Sequence, residues 1–147
     1  MVKRAGIGLI EVLVVLLIIS ILAVIAYPKI SELSNRSRVK SFAEEVYHNL
    51  EYARTMAFQV GSSKVVFDSN NRNYQIYSPS NSTAPLKVVS YPENVTVTPR
   101  FALVPNEVGF KRSKLPDRSG SIYISGYGVS YKITVNAISG RIYLDRQ

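Results

Sequence analysis

A chain of 147 residues without cysteine or tryptophan has room for one small folded domain beside any membrane segment. The missing cysteines exclude disulfides, thiolate metal sites and cysteine nucleophiles. A net charge of +8, from 18 lysines and arginines against 10 acids, suits an anionic partner such as lipid or nucleic acid and equally suits plain solubility.

The chain opens on a short basic head, Met1 to Arg4, followed by an apolar run that ends at Pro28. From Ile7 to Tyr27 it holds one charge, Glu11, and one small polar residue, Ser20. As a helix this run is about 31 Å long, the thickness of a bilayer's hydrocarbon core. A secretory signal peptide would have a shorter apolar segment, roughly 7 to 15 residues, and an A-x-A-like end. Ala23-Val24-Ile25-Ala26 is a poor cleavage site. A plain single-span anchor fits the composition but leaves Glu11 unexplained. A charge near the start of a spanning helix costs a few kcal/mol on insertion scales and normally implies a partner. The simpler reading of Glu11 is an anion near the headgroups, favoured by the dipole at a helix N-terminus.

The residues Lys3, Arg4, Gly6, Ile7 and Glu11 resemble the type IV prepilin signature, a basic leader ending in glycine and a glutamate four positions after the next hydrophobic residue. Ile7 stands where phenylalanine is commonest, and Gly8 where threonine or serine is usual. The resemblance implies that a membrane peptidase cuts between Gly6 and Ile7 and methylates the new N-terminus at Ile7. It makes Glu11 the signature glutamate and Pro28 the helix-kinking proline of such pilins. Cleavage would free a cationic amine at Ile7, able to neutralise Glu11 of a neighbouring subunit in a filament core. A buried charge is tolerated when paired and penalised by several kcal/mol when not, so the pair would select register. Loss of Lys3 and Arg4 with the leader leaves 16 basic residues against 10 acidic, or +6. Lys3 and Arg4 also favour a cytoplasmic N-terminus, with the domain after Pro28 facing outward.

Beyond Pro28, Val39, Phe42, Ala43, Val46, Leu50, Ala53 and Ala57 recur at helical spacing, with Arg36, Lys40, Glu44, His48 and Glu51 on other faces. The pattern predicts an amphipathic continuation of one helix, bent but not ended by Pro28 and stopped at Gly61. A helix greasy on one stripe needs a sheet laid against that stripe.

Short β-branched segments follow. Lys64 to Asp68 and Asn73 to Tyr77 read as a hairpin closed by Ser69-Asn70-Asn71-Arg72, and 78–85 as a loop. Leu86 to Tyr91 and Val95 to Thr98 flank a turn at Pro92-Glu93-Asn94. Pro99 to Pro105 is ambiguous, Glu107 to Lys111 is a short strand, and 112–120 reads as a flexible basic connection. The end reads as a meander: Ser121 to Ser125, a turn at Gly126-Tyr127-Gly128, Val129 to Val135, a turn at Ser139-Gly140, and Arg141 to Leu144. Alternation in Tyr131, Ile133 and Val135 predicts one covered face.

One helix and then strands is the α+β pattern. The stretch Leu50-Glu51-Tyr52-Ala53-Arg54-Thr55-Met56-Ala57, with Gly120-Ser121-Ile122-Tyr123-Ile124, Tyr131-Lys132-Ile133-Thr134-Val135 and Gly140-Arg141-Ile142, resembles the GspH/FimT group of minor pilins and pseudopilins. The implied fold is the pilin fold, a long N-terminal helix, transmembrane then amphipathic, packed on an antiparallel β-sheet domain. The implied parts are a leader over 1–6, a transmembrane and assembly half over 7–28, an amphipathic half over 29–61, and a β-rich domain over 62–147. The implied role is a structural subunit of a type IV pilus or type II secretion filament, anchored by a single span in the inner or plasma membrane. Its partners would be a prepilin peptidase and other pilin or pseudopilin subunits.

No catalytic set is legible. His48, the sole histidine, reads as a surface residue spaced for a weak pair with Glu44. One histidine and scattered acids give no metal-ligand spacing, and no phosphate-gripping glycine loop is present, so neither enzyme activity nor cofactor nor metal is expected. The last third is basic: Lys111, Arg112, Lys114, Arg118, Lys132, Arg141 and Arg146 against Asp117 and Asp145, with Tyr123, Tyr127, Tyr131 and Tyr143 among them. Cations beside aromatic rings suit non-specific DNA binding. Some FimT-like minor pilins bind DNA through a G-R-x-R stretch, which resembles Gly140-Arg141-Ile142-Tyr143, with tyrosine at the second arginine. Lys111, Arg112, Lys114, Lys132 and Arg141 are thus candidate DNA contacts of a competence filament. A structural alternative is that these cations solvate strand edges and discourage aggregation.

Overall fold

The computed structural model describes residues 8–147. Helix α1 spans Leu9–Val60 and is followed by eight strands: β1 Ser62–Asp68, β2 Asn73–Tyr77, β3 Lys87–Ser90, β4 Thr96–Phe101, β5 Glu107–Lys111, β6 Gly120–Gly126, β7 Val129–Val135 and β8 Ile142–Arg146. The chain divides into two compact units, Met1–Asn35 and Arg36–Gln147.

In the first unit the backbone is helical from Leu9 onward, Pro28 included. Gly8 starts the helix, its carbonyl accepting the N–H of Glu11 at 2.9 Å. Ser20, the lone small polar residue, donates its hydroxyl to the Leu16 carbonyl at 2.7 Å, which satisfies it within the helix.

In the second unit, all seven residues of the helical stripe are buried, Val39 to Ala57. Fully burying a valine, leucine or phenylalanine side chain contributes roughly 1.5–3 kcal/mol, so Val39, Phe42, Val46 and Leu50 fix the face that the sheets cover, and the alanines let them approach. Gly61 stops α1: its N–H donates to the Ala57 carbonyl at 2.8 Å with φ of 107°, a conformation that glycine adopts without penalty.

The strands form two antiparallel sheets of four, in the orders β3-β2-β1-β5 and β4-β6-β7-β8. The hairpin β1–β2 pairs Asp68 with Asn73, and Asp68 ties its turn by accepting the N–H groups of Asn70 and Asn71, each at 3.0 Å. Those bonds hold the Asp68 carboxyl below its ordinary pKa. The hairpin β6–β7 closes on Tyr127 and Gly128, both with positive φ, as a two-residue turn matched to strand twist requires. Inner faces of both sheets share one core with the stripe of α1, among them Phe67, Tyr74, Phe110, Ile122 and Ile133. The predicted alternation in β7 holds, with Val129, Tyr131, Ile133 and Val135 all buried.

Three local differences from the sequence reading have physical causes. The turn at Pro92-Glu93-Asn94 carries the chain from one sheet to the other, because β3 pairs with β2 while β4 pairs with β6. The ambiguous segment after Thr98 continues β4 as far as Phe101, and Pro99 is tolerated because β4 is an edge strand. Segment 112–120 is hooked onto β5 rather than free. The Asp117 N–H donates to the Gly109 carbonyl at 2.8 Å, and the Gly109 N–H donates to Asp117 Oδ1 at 2.9 Å. A carboxylate thus completes the ladder that a basic, proline-containing sequence does not advertise.

Candidate functional site

Two regions carry the candidate residues. Gly6 and Ile7 lie outside the described residues. Glu11 sits in the first turn of α1, where an acid complements the helix dipole. From Val12 to Leu22 the large apolar side chains are between 48% and 62% exposed, so no protein surface of this chain covers them. An 18-residue window of this helix has a mean hydropathy of 3.2, long and apolar enough to cross a membrane. A helix apolar all round is stable only in lipid or among other helices.

The second region lies at the C-terminal end of α1. Arg54 donates from Nη1 to the Gly140 carbonyl at 2.6 Å and pairs through Nη2 with Glu51 at 2.6 Å. Gly140 has φ of 68°, and a Cβ there would stand 3.0 Å from Leu115 Cδ2, so the turn before β8 packs directly on the loop after β5. Lys114 in that loop lies over the Phe58 ring at 4.4 Å. The fold therefore brings the loop that carries Lys114 beside the turn that carries Arg141, the residue after Gly140, whereas Lys111 lines a groove of the first sheet with Lys64, Glu107 and Asp117.

Lys132 is elsewhere. It projects from the outer face of the second sheet, in register with Tyr123 and Asp145, and its Nζ lies 5.7 Å from the Tyr123 ring, which Arg100 also approaches at 5.5 Å. Nor do the tyrosines join the cations as a group. Tyr131 is buried in the core, and the Tyr127 hydroxyl accepts from Asn94 Nδ2 at 3.2 Å. Strand alternation is the reason: odd positions of β7 face inward and Lys132 faces out.

His48 is exposed, stacked edge-on to Tyr47 at 5.4 Å, and Glu44 pairs instead with Lys40 at 3.7 Å. Among the described residues no group of three or more histidine, aspartate and glutamate side chains could hold a metal ion. A buried polar relay that the sequence reading missed joins α1 to the first sheet. Asn49 Nδ2 donates to the Tyr74 hydroxyl at 2.6 Å, and Lys87 Nζ donates to Asn49 Oδ1 at 3.0 Å. Its only sequence signal is an asparagine inside an otherwise apolar helical stripe.

Residues 1–27 match the model of the prokaryotic N-terminal methylation motif. The fold matches the type IV minor pilin FimU of Pseudomonas aeruginosa strain PAO1, with a TM-score of 0.61 and 18% identity over 75% of this chain and 90% of that one. The fold is pilin-like. A second crystal form of FimU matches at a TM-score of 0.58 and 19% identity, covering 72% of this chain and 91% of that one. The minor pseudopilin EpsH from the type 2 secretion system of Vibrio cholerae matches at a TM-score of 0.58 and 15% identity, covering 74% of this chain and 97% of that one. No curated protein sequence matches the chain.

Proposed function

We propose that the chain is a minor pilin or pseudopilin, a structural subunit of a type IV pilus or type II secretion filament. A membrane peptidase cuts it between Gly6 and Ile7 and methylates Ile7. The divisions follow: leader 1–6, membrane and assembly segment 7–28, amphipathic helix 29–61 and β-rich domain 62–147. The N-terminus stands in the cytoplasm and the domain outside it, on the charge of Lys3 and Arg4.

The observation that carries this reading is the uncovered apolar half of α1 within a stretch that matches the methylation motif. Such a surface requires lipid before assembly and neighbouring helices after it. In this reading Glu11, an acid of the first turn, pairs with the cationic amine of an adjacent subunit, and Pro28 bends the helix for that packing. Glu11→Ala tests the pairing. The variant should be cleaved normally and be lost from sheared filament fractions, and incorporation at the wild-type level contradicts it.

Contact with DNA is the less favoured reading. Lys114 and Arg141 lie on adjoining turns, but Lys111 lines a groove with Glu107 and Asp117, Lys132 stands on the second sheet in register with Asp145, and the ring of Phe58 lies beneath Lys114.

A further inference from the structure

Phe58 and Leu115 are exposed at 53% and 39%, and Ile138, in the turn just before Gly140, at 93%. Arg112 and Lys114 belong to the loop that carries Leu115, and Arg141 follows the Gly140 turn that Leu115 packs on. Lys114 is drawn onto the Phe58 ring, and among the described residues none of Arg112, Lys114 and Arg141 has a carboxylate within salt-bridge distance. An apolar centre with a charged rim is the anatomy of a protein–protein interface, whereas nucleic-acid interfaces are polar throughout and strongly basic.

The chain's own acids do not complement this surface. In the unit Arg36–Gln147, Glu44, Glu45, Glu51, Glu107 and Asp117 each have a lysine or arginine within 4.0 Å. Asp68 is tied into its own turn, and Asp145 stands opposite Lys132. Among the described residues Glu93 and Asp145 have no cation within that distance, and two carboxylates on separate strands and turns do not balance three clustered cations. A second copy of this unit is therefore a poor occupant, and an acidic chain of different sequence is a good one.

We propose that the surface formed by Phe58, Leu115 and Ile138 with Arg112, Lys114 and Arg141 docks an acidic surface of a different protein, which inserts an apolar side chain between the cations. Attraction between unlike patches steers encounter and excludes like-charged partners, and the apolar centre supplies the slow dissociation. The Arg54 bond to Gly140 keeps the two basic segments in one arrangement before the partner arrives, so little ordering is needed on binding.

The test is photocrosslinking in the native host with p-benzoylphenylalanine at Ile138 of the full chain, which leaves Phe58, Leu115 and the cations intact. The expected adduct joins Ile138 to a segment of another protein that is rich in aspartate and glutamate. Its yield should fall about tenfold in the double variant Lys114→Glu and Arg141→Glu, and less steeply in Lys114→Gln with Arg141→Gln. Phe58→Ser should lower it too, while Lys132→Glu on the other sheet should leave it unchanged. An adduct with a second copy, with nucleic acid or with lipid overturns the proposal, as does no adduct or a yield indifferent to charge reversal. An acidic partner outside any filament upholds this docking surface while counting against the filament reading. Normal filament incorporation without an acidic adduct does the reverse.

Discussion

Arg54 and Gly140, 86 residues apart, are joined by a 2.6 Å hydrogen bond from the guanidinium to the glycine carbonyl. The bond ties the last turns of α1 to the turn that launches β8. The same guanidinium is oriented from behind by Glu51. Arg54→Ala should cost about 1.5–3 kcal/mol, the range for a partly buried hydrogen bond to a charged group. Gly140→Ala should be costly as well, since its φ of 68° and the 3.0 Å approach to Leu115 leave little room for a Cβ. Because both act on one junction, the double variant should lose less than the sum of the two, measured by chemical denaturation of the full chain in detergent.

Gly120→Ala should be the most disruptive single methyl in the domain. Its Cβ would fall 2.3 Å from Phe101 Cδ1 and 2.5 Å from the Arg100 carbonyl, and backbone cannot yield as a flexible side chain does. A loss of about 3 kcal/mol or more is expected, with separation of β4 from β6. A melting temperature within a few degrees of wild type would show that the two strands approach less closely than this.

Tyr91 predicts behaviour at high pH. Burial pushes its hydroxyl up to about 12, and burial likewise raises Tyr74, against the effect of the Asn49 hydrogen bond. Both groups stay protonated in the folded chain after the unfolded chain ionises at its ordinary value of 10.0. Stability is therefore complete below that value and falls as pH rises from 10.0 toward 12. The Tyr91 hydroxyl is also buried without a protein hydrogen-bond partner. Tyr91→Phe should gain about 1 kcal/mol at neutral pH and lose less on titration, read from thermal melts across the alkaline range.

Much of this fold is legible in the residues, and the illegible parts are those that depend on distant contacts. The stripe from Val39 to Ala57 announces its buried face because a period of 3.6 leaves one line of apolar residues. The turns at Asn70-Asn71 and Tyr127-Gly128 announce their hairpins through residues that tolerate positive φ or bond their own backbone. The division into two sheets leaves no such trace, since alternation looks the same whichever sheet receives the strand. Segment 112–120 reads as loop because its lysine, arginines and proline outweigh the one aspartate that hooks it to β5. At the candidate sites, the apolar helix and Glu11 are evident from composition. The joining of Arg141 to the loop at Lys114, and the separation of Lys132 from both, are products of strand order alone.

The account depends above all on a new N-terminus at Ile7. Intact-mass and N-terminal peptide analysis of the chain purified from membranes of its native host measures it directly. The account predicts a chain that begins with N-methylated Ile7 and, in a Gly6→Ala variant, one that keeps its leader. A wild-type chain still beginning at Met1, or beginning at an unmethylated residue elsewhere in the apolar run, contradicts it.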